Sequence, residues 1–111
     1  MSKIRRASSS NIAEVDPRAI ELYKEMRNVI LDMPTADRGL CELVITFQLA
    51  VIGHQVPFKI HALRLREFNI SRTQIQQTIM ARVGVTLVMC EAAQAIEWLN
   101  QAYDGTGKSL H

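Results

Sequence analysis

This chain of 111 residues is short of charge of one sign, long apolar runs, motif-spaced sulfur and aromatic side chains. Thirteen Lys and Arg against eleven Asp and Glu leave a formal charge of +2, too little to argue for a nucleic-acid partner. The clustered cations Lys3, Arg5 and Arg6 have no aromatics interleaved with them. No stretch reaches the roughly eighteen apolar residues of a membrane-spanning helix. The longest run, Leu43 to His54, is broken by Thr46 and Gln48, so no membrane segment is expected. The basic, serine-rich start is followed by no apolar core, which speaks against a secretory signal.

Sulfur and metal chemistry are equally thin. Cys41 and Cys90 stand 49 positions apart and make neither a CxxC nor a metal-ligand spacing. Two unpaired cysteines fit small core positions in a reducing cytoplasm. His54 and His61 have no third ligand at a recognisable spacing, so no metal is expected. Gly105 and Gly107 precede no helix, so they form no phosphate loop. The sequence calls for no cofactor.

What remains is an ordinary globular composition, 48% hydrophobic and 22% charged, with helical periodicity throughout. Residues 1–16 read as a flexible arm, 17–104 as one helical domain and 105–111 as a flexible tail. Asp16-Pro17 opens a first helix as cap and first-turn proline, with Ile20, Tyr23, Met26, Val29 and Ile30 on its apolar face to about Asp32. A second helix runs from about Ala36 to Ile52, capped by Thr35 or Asp37 and stopped by Gly53. Pro57 suits the first turn of a third helix reaching Phe68, where Asn69 tolerates a left-handed backbone. Ser71 and Gln74 make a capping box for a fourth helix carrying Ile75, Ile79 and Val83. Gly84 breaks it. A last helix from about Val85 to Tyr103 buries Val88, Ala92, Ala95, Ile96 and Leu99. No strand pattern is present, so the fold class is all-α.

Glu42 and His61 carry the most chemical information. One is a carboxylate at the start of the chain's most apolar helix, and the other an imidazole just beyond that helix. Such placements at the edge of a core favour acid–base chemistry, although Glu42 also has Arg38 one turn earlier as a plain surface partner. An imidazole takes and returns a proton at working pH, and a neighbouring carboxylate orients its ring. His54 adds a second imidazole, either as the opposite acid or as a binder of a substrate carboxylate. Lys59 and Arg64 offer cations for an anionic substrate. Phe47, Phe58 and Phe68 offer apolar walls. Glu91, amid Val88, Met89, Cys90, Ala92 and Ala93, marks a second used face on the last helix and suggests a subunit contact.

Three segments in order give the chain a family likeness. They are Glu42-Leu43-Val44-Ile45, then Gly53-His54-Gln55-Val56-Pro57-Phe58-Lys59-Ile60-His61, then Phe68-Asn69-Ile70-Ser71-Arg72-Thr73-Gln74-Ile75. From about Leu40 to Leu99 the chain resembles the carboxymuconolactone decarboxylase and alkylhydroperoxidase D-like superfamily. The resemblance implies a small helical bundle built on a two-helix antiparallel core, assembled as trimers or hexamers. In the peroxidase branch, the proton-transfer glutamate falls on Glu42 and the histidine on His61. The two redox cysteines fall on His54 and Pro57, so the redox pair is absent here. Peroxide reduction needs an attacking thiolate and a resolving thiol, which these residues do not supply. The decarboxylase branch does without that pair. Its arginine position is occupied by Cys41, and its tryptophan segment has no counterpart.

The leading expectation is a cofactor-independent lyase or isomerase on a small anionic metabolite, using His61, Glu42 and His54, with Lys59, Arg64 and Phe58 at the substrate. The alternative is a non-catalytic binding or assembly protein of the same fold. A peroxidase using Cys41 or Cys90 ranks third. The wide apolar faces of the first and last helices imply a homo-oligomer.

Overall fold

A computed structural model describes residues 8–105, and among these there are six α-helices, one 3-10 turn and no strand. The helices are α1 Ser8–Val15, α2 Pro17–Leu31, α3 Arg38–Ile52, α4 Gln55–Arg64, α5 Arg72–Met80 and α6 Met89–Gly105. The 3-10 turn Leu65–Phe68 continues α4. An all-α fold is what the periodicity required. The chain divides into two compact units that part between Cys41 and Glu42, inside α3. The single domain expected over 17–104 had no boundary there.

In the first unit, α1 occupies ground expected to be loose, since residues 8–15 are helical. The rest of the expected arm, 1–7, and the expected tail from 106 onward lie outside the described residues. Asp16 caps α2 by accepting from the Arg18 N–H at 3.1 Å, with Pro17 as first helical residue. Asp32 then takes the Arg38 guanidinium at 2.7 Å, and Arg38 also donates to Asn28 Oδ1 at 3.0 Å. These are exposed contacts and hold little free energy. Leu31 is the one side chain of α2 that is buried. Tyr23, Met26, Val29 and Ile30, which make up the apolar face expected on this helix, are all exposed.

The second unit has the core. Phe47 and Ala50 from α3, Phe58 and Ala62 from α4, Leu65, Ile75 and Ile79 from α5, Leu87, and Ala92, Ala95 and Leu99 from α6 form one buried cluster. Helix α6 packs on both α4 and α5. Its buried residues Ala92, Ala95, Leu99 and Ala102 recur at three and four, and the alanines let neighbouring backbones come close. Phe58 is fully buried with its ring centroid 6.1 Å from that of Trp98, a tilted pair that joins α4 to α6.

The local signals explain the ends. Asp37, one of the two expected caps of α3, accepts from the Leu40 N–H at 2.8 Å. Asn69 is left-handed at φ 62°, which closes the 3-10 turn. Both halves of the Ser71–Gln74 capping box are formed. The segment after α5 departs from expectation. Helix α5 ends at Met80, Gly84 has φ 85°, and Leu87 turns back so that its carbonyl accepts from the Gly84 N–H at 2.9 Å. Val83, Val85, Thr86 and Val88 are β-branched, and crowding at χ1 weakens any helix through them. Consequently α6 starts at Met89, not Val85, and Val88 is 59% exposed rather than core. Glu91 accepts from the Val88 N–H at 2.9 Å, so within the chain it serves the start of α6.

Candidate functional site

Glu42 sits in the second turn of α3, beside Thr46 one turn on, whose hydroxyl donates to the Glu42 carbonyl at 2.8 Å. Both residues are buried. A carboxylate removed from water is costly unless partnered. Its partner is His61, the seventh residue of α4, whose Nδ1–H donates to Glu42 Oε1 at 2.8 Å. The Glu42 side chain is 5% exposed and that of His61 17%, so the acid is enclosed while the imidazole reaches the surface. Arg64, one turn beyond His61, brings Nη1 to 4.0 Å from the other oxygen, Glu42 Oε2.

This arrangement decides the tautomer. With the proton on Nδ1 held toward a carboxylate, Nε2 faces away from the acid, and in the neutral ring it is the nitrogen that carries the lone pair. No hydrogen bond to His61 Nε2 is made among the described residues. The ring therefore presents one nitrogen able to accept and return a proton, oriented from behind by an acid. Arg64 is half-exposed, so its guanidinium is open to an anionic group near the same ring. The competing pairing of Glu42 with Arg38 does not occur, because Arg38 is engaged by Asp32 and Asn28.

The other expected site residues divide. His54 is the N-cap residue of α4, exposed, and its side chain makes no capping hydrogen bond. It precedes His61 by two helical turns, about 10 Å along the axis, so the two imidazoles do not meet through direct hydrogen bonding. Lys59 points elsewhere: its ammonium donates to Gln101 Oε1 on α6 at 2.7 Å. Burial lowers the Lys59 pKa below the ordinary lysine value, with Glu97 pulling the other way. Two residues along a helix is about 200°, which sends Lys59 to the side opposite His61. Phe58 is fully buried against Trp98 and cannot form the wall of an open site. Phe47 is also core, under the Arg82 guanidinium at 4.8 Å from the ring centroid.

Sequence reasoning missed two neighbourhoods. Thr46 steadies the backbone carrying the acid, and its spacing from Glu42, one helical turn, was visible. Tyr103 has both Arg66 and Arg72 against its ring, at 5.7 and 5.3 Å from the centroid. Those residues come from three separate elements, and no local spacing signals their meeting. Among the described residues no group of three His, Cys, Asp or Glu side chains is placed to hold a metal ion. Cys41 and Cys90 are both free thiols, and Cys90 is exposed. Also among the described residues, no helix is long and apolar enough to cross a membrane.

No family model, no curated protein and no solved structure matches the chain.

Proposed function

We propose that Glu42 and His61 form an acid–base dyad of a cofactor-independent lyase or isomerase acting on a small anionic metabolite, in the manner of the carboxymuconolactone decarboxylase-like proteins that the sequence resembles. The observation that carries the reading is the 2.8 Å bond from His61 Nδ1 to a buried carboxylate, with Nε2 left for a substrate. His61 Nε2 removes a proton next to a carbonyl, and the imidazolium so formed is steadied by Glu42. The same nitrogen returns that proton at another carbon for isomerisation. In decarboxylation the electrons of the broken C–CO₂ bond pass into the enolate, and Nε2 delivers to its carbon a proton taken from water, not from the substrate. Arg64 pairs with the substrate's negative charge. His54 and Lys59 contribute at most from the rim. The working assembly is a homo-oligomer of three or six copies in the cytoplasm.

The test is a screen of the purified chain against lactones and β-keto acids, followed by CO₂ release or absorbance change. General acid–base catalysis contributes about 10²–10⁴-fold. His61→Gln should therefore lower kcat by that order while its circular dichroism stays that of the wild type. Glu42→Gln should lower kcat less, because the ring keeps a neutral hydrogen-bond partner. Turnover unaffected by His61→Gln, or a wild-type chain inert across the screen, overturns the proposal.

One observation favours a second reading, in which the chain is a non-catalytic binding or assembly protein. Arg64 and His61 occupy the two oxygens of Glu42, a network that also serves simply to tie α4 to α3. In that case His61→Gln changes stability or partner binding and no rate.

A further inference from the structure

Helix α2 is fifteen residues long, yet it buries one side chain, Leu31. Isolated helices of that length are marginal in water, and packing of an apolar face supplies most of a helix's stability. That face exists and is uncovered. Ala19, Tyr23, Met26 and Ile30 follow each other at four, three and four residues, the spacing of a coiled-coil seam. Tyr23, Met26 and Ile30 are 51%, 51% and 52% exposed. Leu22 and Val29, seven apart on the flank of the seam, are 47% and 70% exposed.

The size and charge of this strip select its occupant. Its large side chains open roughly 500 Å² of apolar surface, near the top of the ~300–600 Å² range for the largest patch on an ordinary monomer. Ile12 and Val15 on α1, 51% and 84% exposed, bring the unit toward the ~800 Å² each partner gives to a standard interface. Around the strip stand Arg18, Lys24 and Arg27 with Glu21, Glu25 and Asp32, a neutral mixture that neither repels its own copy nor attracts a charged partner. Laid antiparallel on itself one residue out of full overlap, the helix sets small Ala19 opposite large Ile30 and Tyr23 opposite Met26. The opposed helix dipoles are then also matched.

We infer that the α2 face docks a second copy of this chain, helix against antiparallel helix about a two-fold axis. The contact goes beyond the proton-transfer reading and does not depend on it. Such a two-fold closes a dimer or joins trimers into a hexamer.

The experiment uses the full chain. Sedimentation should give a multiple of the 12.5 kDa chain mass, and Met26→Asp should lower the assembly to a smaller one with α6 and its neighbours still folded by circular dichroism. In a Cys41→Ser, Cys90→Ser background, Ala19→Cys combined with Ile30→Cys should yield a covalent dimer under mild oxidation. Those two positions are eleven residues apart on one helix and cannot join within a chain. A wild-type chain that sediments as a single copy overturns the inference. So does an assembly that ignores Met26→Asp and gives no covalent dimer, which would place the contact on another face.

Discussion

Helices α2 and α3 are both fifteen residues long, and they could hardly be used more differently. Helix α3 sends Glu42, Thr46, Phe47 and Ala50 into the second unit, two of them core and two polar groups with partners. Helix α2 buries Leu31 alone and leaves a seam of large apolar side chains in water. The lesson is that amphipathic periodicity marks a face that must be covered without saying by what. In α3 the cover is the chain itself, and it brings a carboxylate to an imidazole on the way.

The largest expected effect sharpens that contrast. Phe58→Ala removes a fully buried ring between α4 and α6 and should cost about 3–5 kcal/mol, read as the shift in a urea unfolding curve. Tyr23→Ala on α2, measured at dilutions where the chain is single, should stay within ~0.5 kcal/mol. At high concentration the Tyr23→Ala cost should grow, because the side chain then leaves an interface. Equal costs for the two variants at all concentrations would erase the distinction between the helices.

How much of this was legible follows the same division. Signals confined to a few residues were read directly: the Asp16 cap, the left-handed Asn69 and the Ser71–Gln74 box each need only their own neighbours. The acid and imidazole, nineteen residues apart, each stand at the edge of an apolar helical stretch, which marks both as candidates, and the fold puts them at 2.8 Å. Direction was lost. The sequence does not say whether Tyr23, Met26 and Ile30 face their own core or a partner's, since both demand the same spacing. Composition alone places Lys59 and Phe58 at the substrate, whereas their helical angles carry them to α6. Helix α1 went unread because Ser8, Ser9, Ser10 and Asn11 favour caps and turns and offer no apolar period.

A middle-sized effect tests a local signal against its surroundings. The Ser71 hydroxyl accepts from the Gln74 N–H at 3.1 Å, and Gln74 Oε1 accepts from the Ser71 N–H at 2.8 Å. Helix α5 is only nine residues long but buries Ile75 and Ile79 completely. Ser71→Ala should cost about 1 kcal/mol in thermal or chemical unfolding. Asp16→Ala removes the corresponding cap from α2, outside the second unit's core, and should leave the main unfolding transition where it is. A main transition that moves equally for both would mean that α2 unfolds with the core after all.

The smallest effect lies at high pH, where two side chains on the α4–α6 side pull in opposite directions. Burial raises the Tyr103 phenol above its ordinary value near 10, against the opposing influence of Arg66 and Arg72. Above that pH the unfolded phenol loses its proton while the folded one keeps it. The folded state then binds more protons, and stability falls as pH rises. Lys59 behaves inversely. Its folded amine sheds a proton below the ordinary 10.5, so the unfolded state binds more protons over that interval and stability climbs with pH. Tyr103→Phe should therefore flatten or reverse the alkaline decline of the unfolding free energy, and Lys59→Met should steepen it. Chemical unfolding between pH 8 and 11.5 reads both slopes. Two variants that track the wild type would mean neither group is held differently in the folded chain than in the open one.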